Sequence, residues 1–235
     1  VGGGGADTID GGSGIDTADY SASVGAVIVN LNGLASSGGD ADGDQLSNIE
    51  RVLGSAQDDI LRGGAADEQL YGNAGDDTLI GGGGADILDG GSGFDTVDYS
   101  TATGAVTISL DGSTGSGAEA AGDVITTAER LIGSDFADTL GGSANGDTIE
   151  GGLGADNISG GAGDDILSGG ADNDTLIGGA GADQIDGGTG YDIATYAASL
   201  AAVTVYLDGT TGSGGDAAGD VLSNIEELIG SGFDD

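Results

Sequence analysis

Fourteen acidic residues recur at one fixed offset in a nine-residue pattern. A row of carboxylates at such spacing is oxygen chemistry for a hard cation. They are Asp7, Asp16, Asp59, Glu68, Asp77, Asp86, Asp95, Asp138, Asp147, Asp156, Asp165, Asp174, Asp183 and Asp192, thirteen of them Asp. Each stands sixth in a unit G-G-x-G-x-D-x-U-x, where U is aliphatic, and the units lie end to end over residues 2–19, 54–98 and 133–195. Gly81–Asp89 is a clean copy: Gly81, Gly82 and Gly84 for a turn, Asp86 for the acid, Leu88 for the apolar position. Calcium-like ions take six to eight oxygens from carboxylates and backbone carbonyls. Paired glycines admit the positive φ that turns carbonyls toward a common point, and the short Asp reaches that point without distorting the turn. The competing reading, a solvated acidic face on a metal-free scaffold, does not account for strict register beside turn glycines.

The elements that must position these acids follow from the same period. The apolar position reads Ile9, Ala18, Leu61, Leu70, Leu79, Leu88, Val97, Leu140, Ile149, Ile158, Leu167, Leu176, Ile185 and Ala194. One aliphatic per short repeat is what a stacked β-solenoid buries. It is a thin core. Burying each side chain gives roughly 1.5–3 kcal/mol, against roughly 1–2 kcal/mol per residue for ordering the backbone. Burial alone loses, so the acids must take part in holding the coil shut.

These repeats resemble those of the RTX (repeats-in-toxin) family of secreted bacterial proteins. The resemblance implies an all-β fold, a parallel β-roll of nonapeptides, two per coil, with turns on both edges. It implies calcium between turns one full coil apart, held by Asp carboxylates and Gly-turn carbonyls. Carried onto this chain, the stacked pairs are Asp59/Asp77, Glu68/Asp86, Asp77/Asp95, Asp138/Asp156, Asp147/Asp165, Asp156/Asp174, Asp165/Asp183 and Asp174/Asp192. That is at least about eight Ca²⁺ ions, which would bring the net charge from −38 to about −22. Asp7 and Asp16 are expected to need partners upstream. Departures occur at Glu68, one methylene longer and with Ala66 in place of a turn Gly, and at Gln57, Phe136, Asn145 and Asp172, which replace the fourth-position Gly. The units opening at Gly54 and Gly133 carry Ser second, so loops after an insertion are expected to bind weakly or to be completed by it.

Three insertions of equal length, Tyr20–Leu53, Tyr99–Ile132 and Tyr196–Ile229, are copies of one another. Each opens with Tyr and passes through an alternating stretch (Val27-Val29-Leu31, Val106-Ile108-Leu110, Val203-Val205-Leu207) that predicts a strand with one buried face. A Gly-rich acidic loop then ends in Gly-Asp, at Asp44, Asp123 and Asp220. These acids either ligate a further ion or form a turn. The last nine residues of each insertion are cryptic repeats, with Glu50, Glu129 and Glu226 in the acid position and Val52, Leu131 and Leu228 in the apolar one, and they should restart the solenoid. The Tyr rings should fill the space left by the small Ala18, Val97 and Ala194. The expected organisation is therefore 1–19 (end of an upstream block), 20–53 (insertion), 54–98 (five repeats), 99–132 (insertion), 133–195 (seven repeats), 196–229 (insertion) and 230–235 (start of a further block). The chain reads as an internal piece of something longer.

Composition excludes several functions. With 41 acidic residues against 3 Arg and no Lys or His, nucleic acid and anionic membrane surfaces are not partners, and membrane insertion is not expected. No Cys means no disulfide and no thiolate metal site. Thiol and His-dependent catalysis have no candidates, and the carboxylates are taken by the repeat, so no catalytic residue and no enzyme activity is expected within these residues. The extra acids Asp58, Asp76 and Asp164 read as solvated. The Thr residues after the acid position read as β-propensity rather than a ligand- or ice-binding face. The expected function is a non-catalytic, calcium-binding structural module, secreted or at a bacterial surface, reached by type I secretion as the resemblance implies, and serving as rod, spacer or assembly domain. Two alternatives stand: an accessory module of a secreted enzyme whose catalytic domain lies elsewhere, or an adhesin or surface-layer segment associating with copies of itself, end to end or laterally.

Overall fold

A computed structural model describes residues 2–235; Val1, the first residue of the expected block 1–19, lies outside them. The chain divides into two compact units, Val1–Tyr99 with Gly112–Ala128, and Ser100–Asp111 with Glu129–Asp235. Both are parallel β-rolls built on the same rule.

In the first unit, Ile60–Arg62, Thr78–Ile80 and Thr96–Asp98 pair in parallel on one face, each two repeats beyond the last. Gln69–Ala74 and Ile87–Ser92 pair on the other face at the same offset. In the second unit, Thr139–Gly141, Asn157–Ala162, Thr175–Ala180 and Ile193–Thr195 form one face, and Thr148–Leu153, Ile166–Ala171 and Gln184–Thr189 the other. Strands of successive repeats therefore alternate between two sheets, which makes two nonapeptides per coil. Side chains alternate across a strand, so the eighth residue of each repeat points inward, and Leu61, Leu70, Leu79, Leu88, Ile149 and Leu176 are completely buried. The Thr positions flank these on the outer, exposed or half-buried side.

The insertions are stacked into the roll rather than looped out. In the first, Ile28–Asn30 pairs with Ile60–Arg62, Gln45–Ser47 with Thr8–Asp10, and Arg51–Leu53 with both Thr17–Asp19 and Gln69–Ala74. A short 3₁₀ turn, Gly39–Ala41, links the first two strands. In the second, Val124–Thr126 pairs with Ile87–Ser92 in the first unit. In the second unit Thr107–Ser109 pairs with Thr139–Gly141, and Arg130–Ile132 with Thr148–Leu153. The cryptic repeats are thus true rungs, with Val52 and Leu131 fully buried. The third insertion supplies Val221–Ser223 and Glu227–Ile229. Its alternating stretch differs from expectation: Thr204 makes only a bridge to Ser213, and Tyr206 and Leu207 are exposed. In the other copies this stretch pairs with Ile60–Arg62 and with Thr139–Gly141, the seventh to ninth positions of the repeat after the insertion.

Candidate metal centre

The turns at the coil edges bring every expected pair together. The Asp59 amide donates to Asp77 Oδ1 at 2.7 Å, Glu68 to Asp86 at 2.8 Å and Asp77 to Asp95 at 2.8 Å. In the second unit the links Asp138 to Asp156, Asp147 to Asp165, Asp156 to Asp174 and Asp174 to Asp192 are 2.8 Å, and Asp165 to Asp183 is 3.0 Å. One oxygen of each upper carboxylate is consumed by this amide ladder.

The second oxygen is not. Oδ2 of Asp7, Asp16, Asp77, Asp86, Asp156, Asp165, Asp174, Asp183 and Asp192 is buried and accepts no hydrogen bond among the described residues. Buried polar atoms are ordinarily satisfied, so a repeated orphan of one atom type marks a place for a ligand. Its surroundings fit a hard cation. A β-carbon at Gly160 would stand 2.2 Å from Asp165 Oδ2 and 2.6 Å from the Gly178 carbonyl of the next turn. The same arrangement recurs at Gly72, Gly151 and Gly169. The orphan oxygen therefore faces the turn one coil further on, whose peptide carbonyls share its space. Among the described residues no three acidic side chains converge; a stacked pair such as Asp77 and Asp95, with the peptide oxygens of the next turn, is a donor set suited to calcium.

Burial and neighbouring carboxylates also raise the acids' pKa. Desolvation, opposed by the amide ladder and reinforced by the stacked acids, lifts Asp77, Asp86, Asp156 and Asp165 to about 7, and Asp174 and Asp183 to about 6. Unmetallated, these sites hold protons into the neutral range. A cation relieves the same charge.

Not all acids are alike. Asp59 Oδ2 accepts the Ser55 amide while its Oδ1 takes the Ser55 hydroxyl at 2.9 Å and the Val27 amide at 2.7 Å. Asp138 is satisfied likewise by Ser134 and by Val106 at 2.8 Å. Glu68 Oε2 accepts the Gly64 amide at 3.1 Å, and Asp147 Oδ2 the Ser143 amide at 2.5 Å. Asp147 keeps a buried Oδ1 without a hydrogen bond.

The insertion acids extend the ladder, a role neither reading of them anticipated. Asp44 Oδ1 accepts the Asp7 amide, Asp123 that of Asp86 and Asp220 that of Asp183, at 2.8–3.0 Å. Asp16 and Asp192 donate instead to Glu50 and Glu226, at 3.0 and 2.9 Å. Asp7 and Asp16 thus have partners downstream, where upstream ones were expected. The other oxygen of each insertion Asp takes a buried Tyr hydroxyl: Tyr20 to Asp44 at 2.9 Å, Tyr99 to Asp123 at 2.7 Å, Tyr196 to Asp220 at 2.8 Å. Burial and the carboxylate push these hydroxyl pKa values up, so the proton stays on oxygen. The rings are buried, and their hydroxyls carry a function that composition did not reveal. The available signal was the constant sequence spacing of Tyr and Asp in all three copies. The fifth-position acids Asp58, Asp76 and Asp164, read as solvated, are exposed but also accept amides of the next coil, from Asp76, Phe94 and Ala182 at 2.8–2.9 Å.

A parallel roll with oxygen-lined turns at both edges defines a calcium-binding β-roll. Residues 1–18, 47–79, 62–97, 126–158 and 159–194 match the model of the RTX calcium-binding nonapeptide repeat, more than half of the chain, and the chain belongs to that family. Its repeats bind calcium, in general as structural rather than catalytic sequence. Proteins carrying them are typically secreted. No curated protein matches the chain. Among the described residues no helix is long and apolar enough to cross a membrane.

Proposed function

We propose that this chain is a calcium-gated structural module of a secreted or cell-surface bacterial protein, folding on export and serving as a rod, spacer or assembly domain. The observation that carries the reading is the row of buried carboxylate oxygens without hydrogen-bond partners, repeated on both coil edges. A net charge of −38 with a one-aliphatic core favours an expanded chain when calcium is scarce. Millimolar calcium outside a cell matches the roughly 10⁻⁴–10⁻³ M affinity of extracellular modules, and because the sites exist only in the stacked roll, binding energy becomes folding energy. The candidate ligands are drawn from the fourteen repeat acids, foremost those with an orphaned buried oxygen, and the blocks 54–98 and 133–195 are the segments that calcium closes. No side chain here is assigned a catalytic role.

Circular dichroism during a calcium titration tests this. The expected course is little β-signal in excess EGTA and a cooperative rise toward millimolar calcium. A chain equally β-rich in EGTA at neutral pH overturns the gating.

A further inference from the structure

The turns fall into two backbone states, and the division follows the insertions. In the repeats opening at Gly72, Gly81, Gly90, Gly151, Gly160, Gly169, Gly178 and Gly187, the second residue stands at positive φ: Asn73 at 77°, Gly82 at 87°, Gly91 at 105°, Gly152 at 110°, Gly161 at 104°, Gly170 at 112°, Gly179 at 103° and Gly188 at 95°. Gly3 and Gly12 are also positive, at 75° and 93°. Ser55, Gly64, Ser134 and Ser143, second in the remaining four complete repeats, are not among the positive-φ residues. Their amides point at the repeat's own carboxylate and occupy it. These four repeats are the two that make the first coil after the first insertion and the two that follow the second. Ser231 repeats the pattern after the third, donating to Asp235 Oδ2 at 2.6 Å.

We propose that calcium occupies only the turns whose second residue is at positive φ, and that the first coil after each insertion is cation-free, held shut by its own hydrogen bonds. The inference rests on the calcium-binding reading and divides its ligands. At a closed turn an N–H dipole presents its positive end to the oxygen that a cation needs, and the carboxylate charge is spread over amide and hydroxyl donors. At an open turn that oxygen is bare. Gly64 shows that closure is a backbone state rather than a property of Ser. The insertion acids are sealed differently: Tyr20, Tyr99 and Tyr196 donate to Oδ2 of Asp44, Asp123 and Asp220, the atom left orphaned elsewhere in the ladder. Of the pairs expected from spacing, Asp59/Asp77, Glu68/Asp86, Asp138/Asp156 and Asp147/Asp165 have a closed lower turn and hold no ion. The insertions instead give Asp7, Asp16, Asp86, Asp183 and Asp192 stacked partners above open turns.

Calcium stoichiometry of the full chain tests the division, read by native mass spectrometry at saturating calcium. Asn keeps the Oδ1 acceptor of the ladder and removes the charge. The double variant Asp77→Asn/Asp156→Asn is expected to lose one ion for each substituted residue. Asp59→Asn/Asp138→Asn is expected to bind as many ions as the parent. Equal losses in both variants overturn the proposal. A parent that binds no calcium overturns the calcium reading itself, a different outcome. Should the second variant fail to fold, anomalous scattering from calcium in crystals of the parent decides. Ions beside Asp77 and Asp156 and none beside Asp59 and Asp138 support the division, and an ion at either of the latter ends it.

Discussion

Gly169→Ala isolates a cation site from ordinary packing. Gly169 is not among the positive-φ residues, so alanine brings no backbone strain. Its β-carbon would stand 2.2 Å from Asp174 Oδ2 and 2.6 Å from the Gly187 carbonyl, inside the oxygen cluster. Two penalties follow, and they scale differently. Overpacking costs about 1–3 kcal/mol at any calcium concentration. Loss of an ion removes RT ln(1 + [L]/Kd). With Kd of about 10⁻⁴ M, that is about 2.7 kcal/mol at roughly 10 mM calcium and about 1.4 kcal/mol at roughly 1 mM, both in the range where the roll is folded. Urea unfolding of parent and variant at both concentrations should therefore show a deficit that widens by about 1 kcal/mol as calcium rises. Gly83→Ala is the control: its β-carbon meets nothing nearer than Ala65 Cα at 4.0 Å, and a neutral to slightly stabilising effect, up to about 1 kcal/mol, is expected. A Gly169→Ala deficit that is the same at both concentrations refutes the reasoning, because only the steric penalty would then be present.

Two further outcomes follow from other groups. Tyr99→Phe keeps the ring and leaves Asp123, completely buried, with an unpartnered oxygen; urea midpoints should report a loss of about 1–3 kcal/mol, and a change under about 0.3 kcal/mol would contradict the role given to the hydroxyl. In EGTA the roll should respond to acid. The folded-state pKa values near 6 and 7 lie above the unfolded Asp value of about 3.9. Folding then binds protons, and its stabilisation is complete below about pH 4 and lost as pH rises through 6 to 7. The β-signal without calcium should increase from about pH 8 to about pH 5; a signal that stays flat or falls on acidification counts against the buried carboxylates.

Much of this architecture could be read from the chain because the repeat is local. The period places Leu79 and Leu88 inward, stacks Asp77 under Asp95, and demands glycine beside both. What could not be read is whatever spans unequal distances. Within a block, stacked acids are always two repeats apart. Across an insertion the separation becomes 37 between Asp7 and Asp44, 34 between Asp16 and Glu50, and 32 between Val27 and Asp59. No fixed window holds all three. The closed turns were legible only in part: weak binding after an insertion was expected from Ser55 and Ser134, but not its cause. A Ser in the second position looks like a weakened glycine, whereas its amide and hydroxyl satisfy the acid outright. Gly64 itself carries no signal, since it closes with the residue the open state prefers; only Ala66 and Glu68 set its repeat apart.

The insertion itself explains why a calcium ladder needs such seams. Val27, Val106 and Val203 each donate their amide to the acid of the following repeat, Asp59, Asp138 and Asp235, at 2.7–2.8 Å. Each stands where a ladder acid would be, yet offers no carboxylate. On that edge the row of acids is interrupted: below the break Asp44 is capped by Tyr20, and above it Asp59 is capped by Ser55. An unbroken row of stacked carboxylates repels along its whole length until every site is filled. Breaking it with neutral donors limits that repulsion to short strings, and lets each string fill without waiting for the next. The three copies keep a single length, because the acids on both edges must re-enter register together. A deletion of one residue between Asp44 and Glu50 would turn the strand Gln45–Ser47 or Arg51–Leu53 face about, exposing Leu46 or Val52. Its effect should be loss of cooperative folding at any calcium concentration, seen as a broad, shallow urea transition.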